Sequence, residues 1–207
     1  MSAIVQNYYN ISINMPKVVK TLLYDEFLKE AELPNFEADL ENRKYHDWVD
    51  KYPDHTLSIF GAVMYFGGYD VDDEDVEYFK SKGVDLNAPS NIYPADSDGT
   101  TALGSACEYR NMKLIKALVK HGAKINQEDQ HGFTPLESML TGHSVDDSHN
   151  FKACEEGIKL LVELGVDRAV QKYIIDNFCQ NYLKKSDYLK KFLNEAKKRI
   201  PIKYQVV

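Results

Sequence analysis

The sequence predicts an all-α solenoid of about five stacked helix pairs, with short hairpin loops and helical caps at both ends. Three observations carry this. A pattern returns after 33 residues, glycine stops follow three amphipathic segments, and apolar residues recur mostly at helical spacing.

The pattern is clearest in "DGTTALGSACEYRNMKLIKALVKHGAKINQED" and the following "HGFTPLESML". Gly99 and Gly132 lie 33 residues apart, and Thr101, Ala102, Leu103 and Ser105 align with Thr134, Pro135, Leu136 and Ser138. Pro135 suits a first helical position, where no backbone N–H is needed. "VEYFKSKGVDLN" matches "IKALVKHGAKIN", setting Gly83 on Gly122 and Asn87 on Asn126. "GIKLLVELGVD" repeats the same half, with Gly165 in the glycine place. The glycines are 39 and then 43 residues apart, so insertions of about six and ten residues interrupt a regular period.

These residues resemble the ankyrin repeat, in which Gly-x-Thr-Pro-Leu precedes two short helices. The resemblance covers Thr56 to Asp167 and implies a Gly-Ala turn leading into a β-hairpin. Three positions depart from the family. Gly104 and Glu137 stand where the family has histidine after Thr-Pro-Leu, and Arg110 replaces the glycine between paired helices. A positive φ at Arg110 would strain the backbone.

In chain order, residues 1–12 are expected to be either an extended strand or disordered, and Val19, Leu22, Leu23 and Phe27 then mark a helix from Pro16 to Ala31. Asn35 can cap a helix with Phe36, Leu40, Tyr45, Trp48 and Tyr52 on one face. An apolar helix follows from Leu57 to Phe66, then one over 73–82. The repeats predict helices over 101–109, 111–121, 134–141 and 151–164. Val170, Tyr173, Ile174 and Phe178 form a further stripe. Ser186 caps a last helix carrying Leu189, Phe192, Leu193 and Ala196, and Pro201 prevents its continuation. The expected organisation is an N-terminal cap over 1–55, repeats over 56–167 and a C-terminal cap over 168–207.

The composition, 43% apolar and 28% charged, is that of a soluble domain. The N-terminus lacks the basic and apolar regions of a signal peptide, and the longest apolar run is too short for a bilayer. Cys107, Cys154 and Cys179 show no C-x-x-C pairing, and Cys107 falls in a small core position, so a cytoplasmic location is expected. Net charge is −7 but uneven: residues 1–100 hold 19 acids and 8 bases, residues 101–207 hold 13 and 17. That asymmetry favours a basic partner.

The resemblance implies that hairpin tips and first helices line a concave binding face. It assigns partner contacts to Ser97, Asp98, Thr100, Glu108 and Tyr109 in the regular repeat. In the next repeat it assigns them to Gln130, His131, Phe133 and Thr141. Phe133 sits at a tip with no packing duty in the family, so an interface anchor is expected over folding back onto the neighbouring hairpin. Tyr93, in the inserted "APSNIYPADSD", is either a further contact or part of a tolerated surface insertion. "DVDDEDVE" could meet a basic partner, but acids in a first helical turn complement the helix dipole, and that reading is preferred. "HSVDDSH" matches no standard zinc spacing and is expected to be a polar loop. The Lys-rich tail surrounds an ordinary amphipathic stripe, so neither nucleic acid nor membrane is the expected ligand.

No catalytic constellation and no cofactor or metal motif emerges. The expected function is non-enzymatic protein binding by a chain that is monomeric when free. Irregular repeats, long insertions and short length are similar to bacterial ankyrin-type immunity proteins, which implies an antitoxin that sterically blocks a basic toxin or nuclease. The alternative is an adaptor or secreted effector that recruits a cellular protein. An enzyme or its regulatory subunit is the third class, with residues 1–55 the place to look for it.

Overall fold

The computed structural model describes residues 45–51, 56, 59–61, 63, 71–89, 99–142, 148–177, 179 and 182–199. Among these the fold is all-α, and the extended pairing is a single antiparallel bridge between Pro89 and Thr101. Among the described residues the hairpins expected from the resemblance show as turns, apart from that one bridge. The helices are α1 (Tyr45–Lys51), α2 (Asp73–Ser81), α3 (Ala102–Glu108), α4 (Met112–Lys120), α5 (Pro135–Thr141) and α6 (Ser148–Glu163). α7 (Lys172–Asn177), α8 (Tyr182–Lys185) and α9 (Asp187–Ala196) follow among the described residues, with a 3-10 turn over Lys197–Arg199.

The predicted boundaries of the repeat helices and α9 hold to within a few residues, and the starts of α3, α4, α5 and α9 are capped by side chains. Thr101 accepts a hydrogen bond from Gly104 N, and Asn111 from Leu114 N. Thr134 and Glu137 form a reciprocal capping box with Pro135 at the first helical position. Ser186 Oγ accepts from Leu189 N, as expected. The stops are equally local. Gly83, Gly122 and Gly165 have φ of 87°, 104° and 91°, and a Cβ at any of them would meet open space. Conformation, not crowding, requires glycine there. Arg110 takes φ 56° without being glycine, so the strain foreseen at this position is present. Its guanidinium donates to Gly142 O at 3.2 Å, across to the next repeat.

α3 and α4 form one pair and α5 and α6 the next; α3 lies along α5, α2 along α4, and α7 against α5. The core runs through the stack. Leu103, Ala106 and Cys107 of α3, Leu114, Ile115 and Leu118 of α4, Leu136, Met139 and Leu140 of α5, and Cys154, Ile158 and Leu161 of α6 are buried in one cluster. Close approach between repeats is built in at Gly142, where a Cβ would come within 2.3 Å of the Glu108 carbonyl oxygen. At the N-terminal end, Tyr45 stacks on Phe79, and His46 stacks on Tyr78 at 3.9 Å while its Nε2 lies 3.2 Å from the buried Asp75. The C-terminal helix buries Leu189, Phe192, Leu193 and Ala196, the predicted stripe. The α7 stripe differs from expectation. Val170 and Ile174 are buried, but Tyr173 is 43% exposed and Ile175 takes the inner position.

Polar bonds stitch neighbouring repeats. Asn87 Oδ1 accepts from Lys124 N at 2.7 Å, and Asn126 Oδ1 accepts from Asp167 N at 2.8 Å. The two asparagines are the aligned pair of the sequence repeat, and each reaches the residue two after the next repeat's glycine. Glu137, only 2% exposed, links the stack to α7. Its carboxylate accepts from Thr134 N at 3.0 Å, Gln171 N at 2.7 Å and Gln171 Nε2 at 3.2 Å. The position where the family carries histidine is thus filled by a buried acceptor that bridges repeats.

Removing these features has calculable effects. Gly122→Ala should lower stability by about 1–2 kcal/mol in urea unfolding, from backbone strain alone. Glu137→Ala leaves buried N–H groups of Thr134 and Gln171 without their acceptor and should cost about 2–4 kcal/mol, with Glu137→Gln costing less. Burial raises the Cys107 thiol far above its ordinary pKa and pushes Cys179 up to about 12. Ellman's reagent at neutral pH should therefore leave Cys107 and Cys179 unmodified in the native protein and titrate all 3 thiols in urea.

Candidate protein-docking face

The assigned contact residues fall into two groups. At the N-terminal ends of the first helices lie Thr100, Gln130, His131 and Phe133. At the C-terminal ends lie Glu108, Tyr109 and Thr141. Each first helix has 7 residues, so the groups sit about 10 Å apart along α3 and α5. Tyr93, Ser97 and Asp98 lie outside the described residues, as does the "HSVDD" segment.

The tip group is held by local turns. Asp129 Oδ1 accepts from His131 N at 2.8 Å and Phe133 N at 2.9 Å, and Gly132 has φ 80°. Asp129 thereby orders the tip from within. Gln130 N donates to Gly99 O at 3.2 Å, tying this tip to the preceding one. The Gln130 side chain lies over Gly99, where a Cβ would fall 1.8 Å from Gln130 Cδ. Gln130 and His131 are exposed, while Thr100 is half-buried, with its methyl 3.2 Å from where a Cβ of Gly104 would stand.

Phe133 departs from the premise attached to it. It is half-buried against the core, and its ring meets Tyr173 edge-on with centroids 6.2 Å apart. It therefore has a packing duty, and the solvent-facing aromatic here is Tyr173. Nothing in the local periodicity separates Tyr173 from its buried neighbours; its exposure follows from how α7 lies on α5.

The second group is structural at its base. Thr141 Oγ1 donates to Glu137 O at 2.9 Å, and Tyr109 is the C-cap residue of α3. Glu108, Tyr109 and Thr141 are all half-buried.

Three acids of the run at α2, Asp72, Asp73 and Asp75, are occupied within the fold. Asp72 caps the helix, accepting from Glu74 N and Asp75 N, and Asp75 accepts from Asp72 N in return. Lys120 and His121 of the next repeat hold Asp73, and the Lys120 ammonium keeps the Asp73 carboxyl below its ordinary range. Asp50 is likewise lowered, by Lys82 first and then Tyr78. Asp72, Asp73 and Asp75 are thus engaged around the helix start, where the preferred helix-dipole reading places them, while Glu74 and Glu77 of the same run are exposed. Among the described residues no group of three or more His, Cys, Asp or Glu side chains could hold a metal ion, and no helix is long and apolar enough to cross a membrane.

Comparison with known proteins places this geometry. The family model for ankyrin repeats (3 copies) matches residues 62–172. The chain is similar to protein phosphatase 1 regulatory subunit 27 of Homo sapiens, with 32% identity over 95 residues, 44% of this chain and 49% of that protein. The mouse protein gives the same figures. The chain thus spans about half the length of the curated relatives it matches. With more than half its residues inside the family match, and with capped helix pairs, glycine stops and inter-repeat bonds at the matching positions, the chain belongs to the ankyrin-repeat family.

Proposed function

We propose that the chain is a non-enzymatic protein-binding module that docks a protein on its hairpin tips and first helices and regulates it by covering its working surface. The observation that carries this is the preformed tip surface. Gln130 and His131 are exposed on turns fixed by Asp129 and by the bond to Gly99, so little order need be gained on docking. Ankyrin repeats imply a protein-interaction role, and relatives named as regulatory subunits of a phosphatase favour control of an enzyme by docking.

The finer reading is an immunity- or antitoxin-type inhibitor of a basic toxin or nuclease. Net charge −7 and the irregular repeat lengths support it. The acids of α2 support it less, since Asp72, Asp73 and Asp75 are engaged inside the fold. The second reading is an adaptor or secreted effector, for which the regulatory-subunit relatives speak. A cytoplasmic, monomeric state and capping roles for residues 1–55 and 168–207 around repeats over 56–167 belong to the same proposal.

Two experiments test it. A partner captured from lysate at low salt should be bound at least about tenfold more weakly by the double variant Gln130→Ala, His131→Glu, with the melting temperature unchanged. Undiminished capture would move the interface off the tips. Co-expression with the product of the adjacent gene should yield a stable complex if that product is a toxin; separate elution of the two would remove the immunity reading and leave the adaptor.

A further inference from the structure

The charge on this chain is unevenly compensated, and the imbalance runs against its net sign. Around the repeats, opposite charges are paired: Asp73 with Lys120, Glu155 with Lys159, Asp176 with Lys172, and Asp50 with Lys82. The C-terminal end is different. From Lys184 to Arg199 there are seven basic residues against Asp187 and Glu195. Lys190, Lys191, Lys197, Lys198 and Arg199 are all exposed, and among the described residues none of them is in an ion pair. Glu195 is already matched by Arg168 at 3.6 Å.

Geometry concentrates these cations. α9 turns Leu189, Phe192, Leu193 and Ala196 inward, so its outer side carries the intervening positions. Asp187, Lys190, Lys191, Asn194, Glu195 and Lys198 line one shallow depression there. Their spacing of three and four residues makes a stripe along about three turns, over α9 and into the 3-10 turn that follows, on a helix anchored in the core.

We propose that this outer face of α9 is a second docking surface, separate from the hairpin tips, that binds an acidic protein segment. An uncompensated cationic stripe attracts anions through screened Coulomb forces, worth most when several charges act together. The occupant is a peptide rather than a polyphosphate. Asn194, in the middle of the stripe, can bond the backbone amide of a peptide. No exposed large aromatic residue lies on α9 to stack on a nucleobase. Nor does its outer stripe carry an apolar side chain that could enter a lipid interface.

The test uses the full chain and fluorescein-labelled decaglutamate, read by fluorescence anisotropy at about 50 mM and about 500 mM salt. Binding should appear at low salt and weaken at least about tenfold at high salt. The variant K190E/K191E/K198E should weaken low-salt binding at least about tenfold with circular dichroism unchanged, and the milder K190A/K191A/K198A should fall between. The double tip variant should bind the peptide as the wild type does, which separates this surface from the proposed regulatory face. Three results would overturn the proposal: no binding at low salt, equal binding by the charge-reversed protein, or tighter binding to poly(U) or to phosphatidylserine vesicles than to the peptide.

Discussion

Each helix pair in this chain has an apolar side that only its neighbour can cover. α3 is too short to be stable alone, at 7 residues, and so is α5. What holds them is the seam between them, where Gly142 lets the backbones approach and Leu103, Leu136 and Met139 close the core. Hydrophobic burial supplies most of that energy, while the polar bonds set the register. Asn87 and Asn126 do this at successive hairpins, and Glu137 does it where the repeats meet α7. A ladder of this kind makes each repeat's position depend on the next. It also fixes the tips, which is what a docking surface requires.

Much of this was legible in the sequence because it is encoded locally. Gly83, Gly122 and Gly165 were recognisable as stops, and their positive φ is a property of the turn itself. Thr134, Pro135 and Ser186 signal helix starts through bonds spanning three residues. Cys107 fell in a small core place and is buried. Arg110 occupied a glycine position and adopts the conformation that position demands. The family match over residues 62–172 rests on the same signals.

What was not legible depends on contacts between repeats. Glu137 was visible as a departure from the family, but its role needs Gln171, 34 residues on, to be brought beside it. Phe133 and Tyr173 exchange roles for the same reason: one packs and the other is exposed according to how α7 lies on α5. The acidic run at α2 was expected to complement the helix dipole, but its cross-repeat contacts were not legible: two of its members are engaged by capping and a third by Lys120 and His121 of the following repeat. Net charge summed along a chain cannot distinguish neutralised acids from available ones. At the C-terminal end, where the sequence is already rich in lysine, the distinction runs the other way: among the described residues Lys190 and Lys191 of α9 are exposed and in no ion pair.

The central claim is that stability is shared across repeat boundaries, and native-state hydrogen exchange of the Asn126→Ala variant tests it most directly. The account predicts faster exchange in α4 and α6 together, since Asn126 joins the hairpin after α4 to the turn after α6. Acceleration restricted to the few amides around residue 126, with both helices protected as in the wild type, would contradict it.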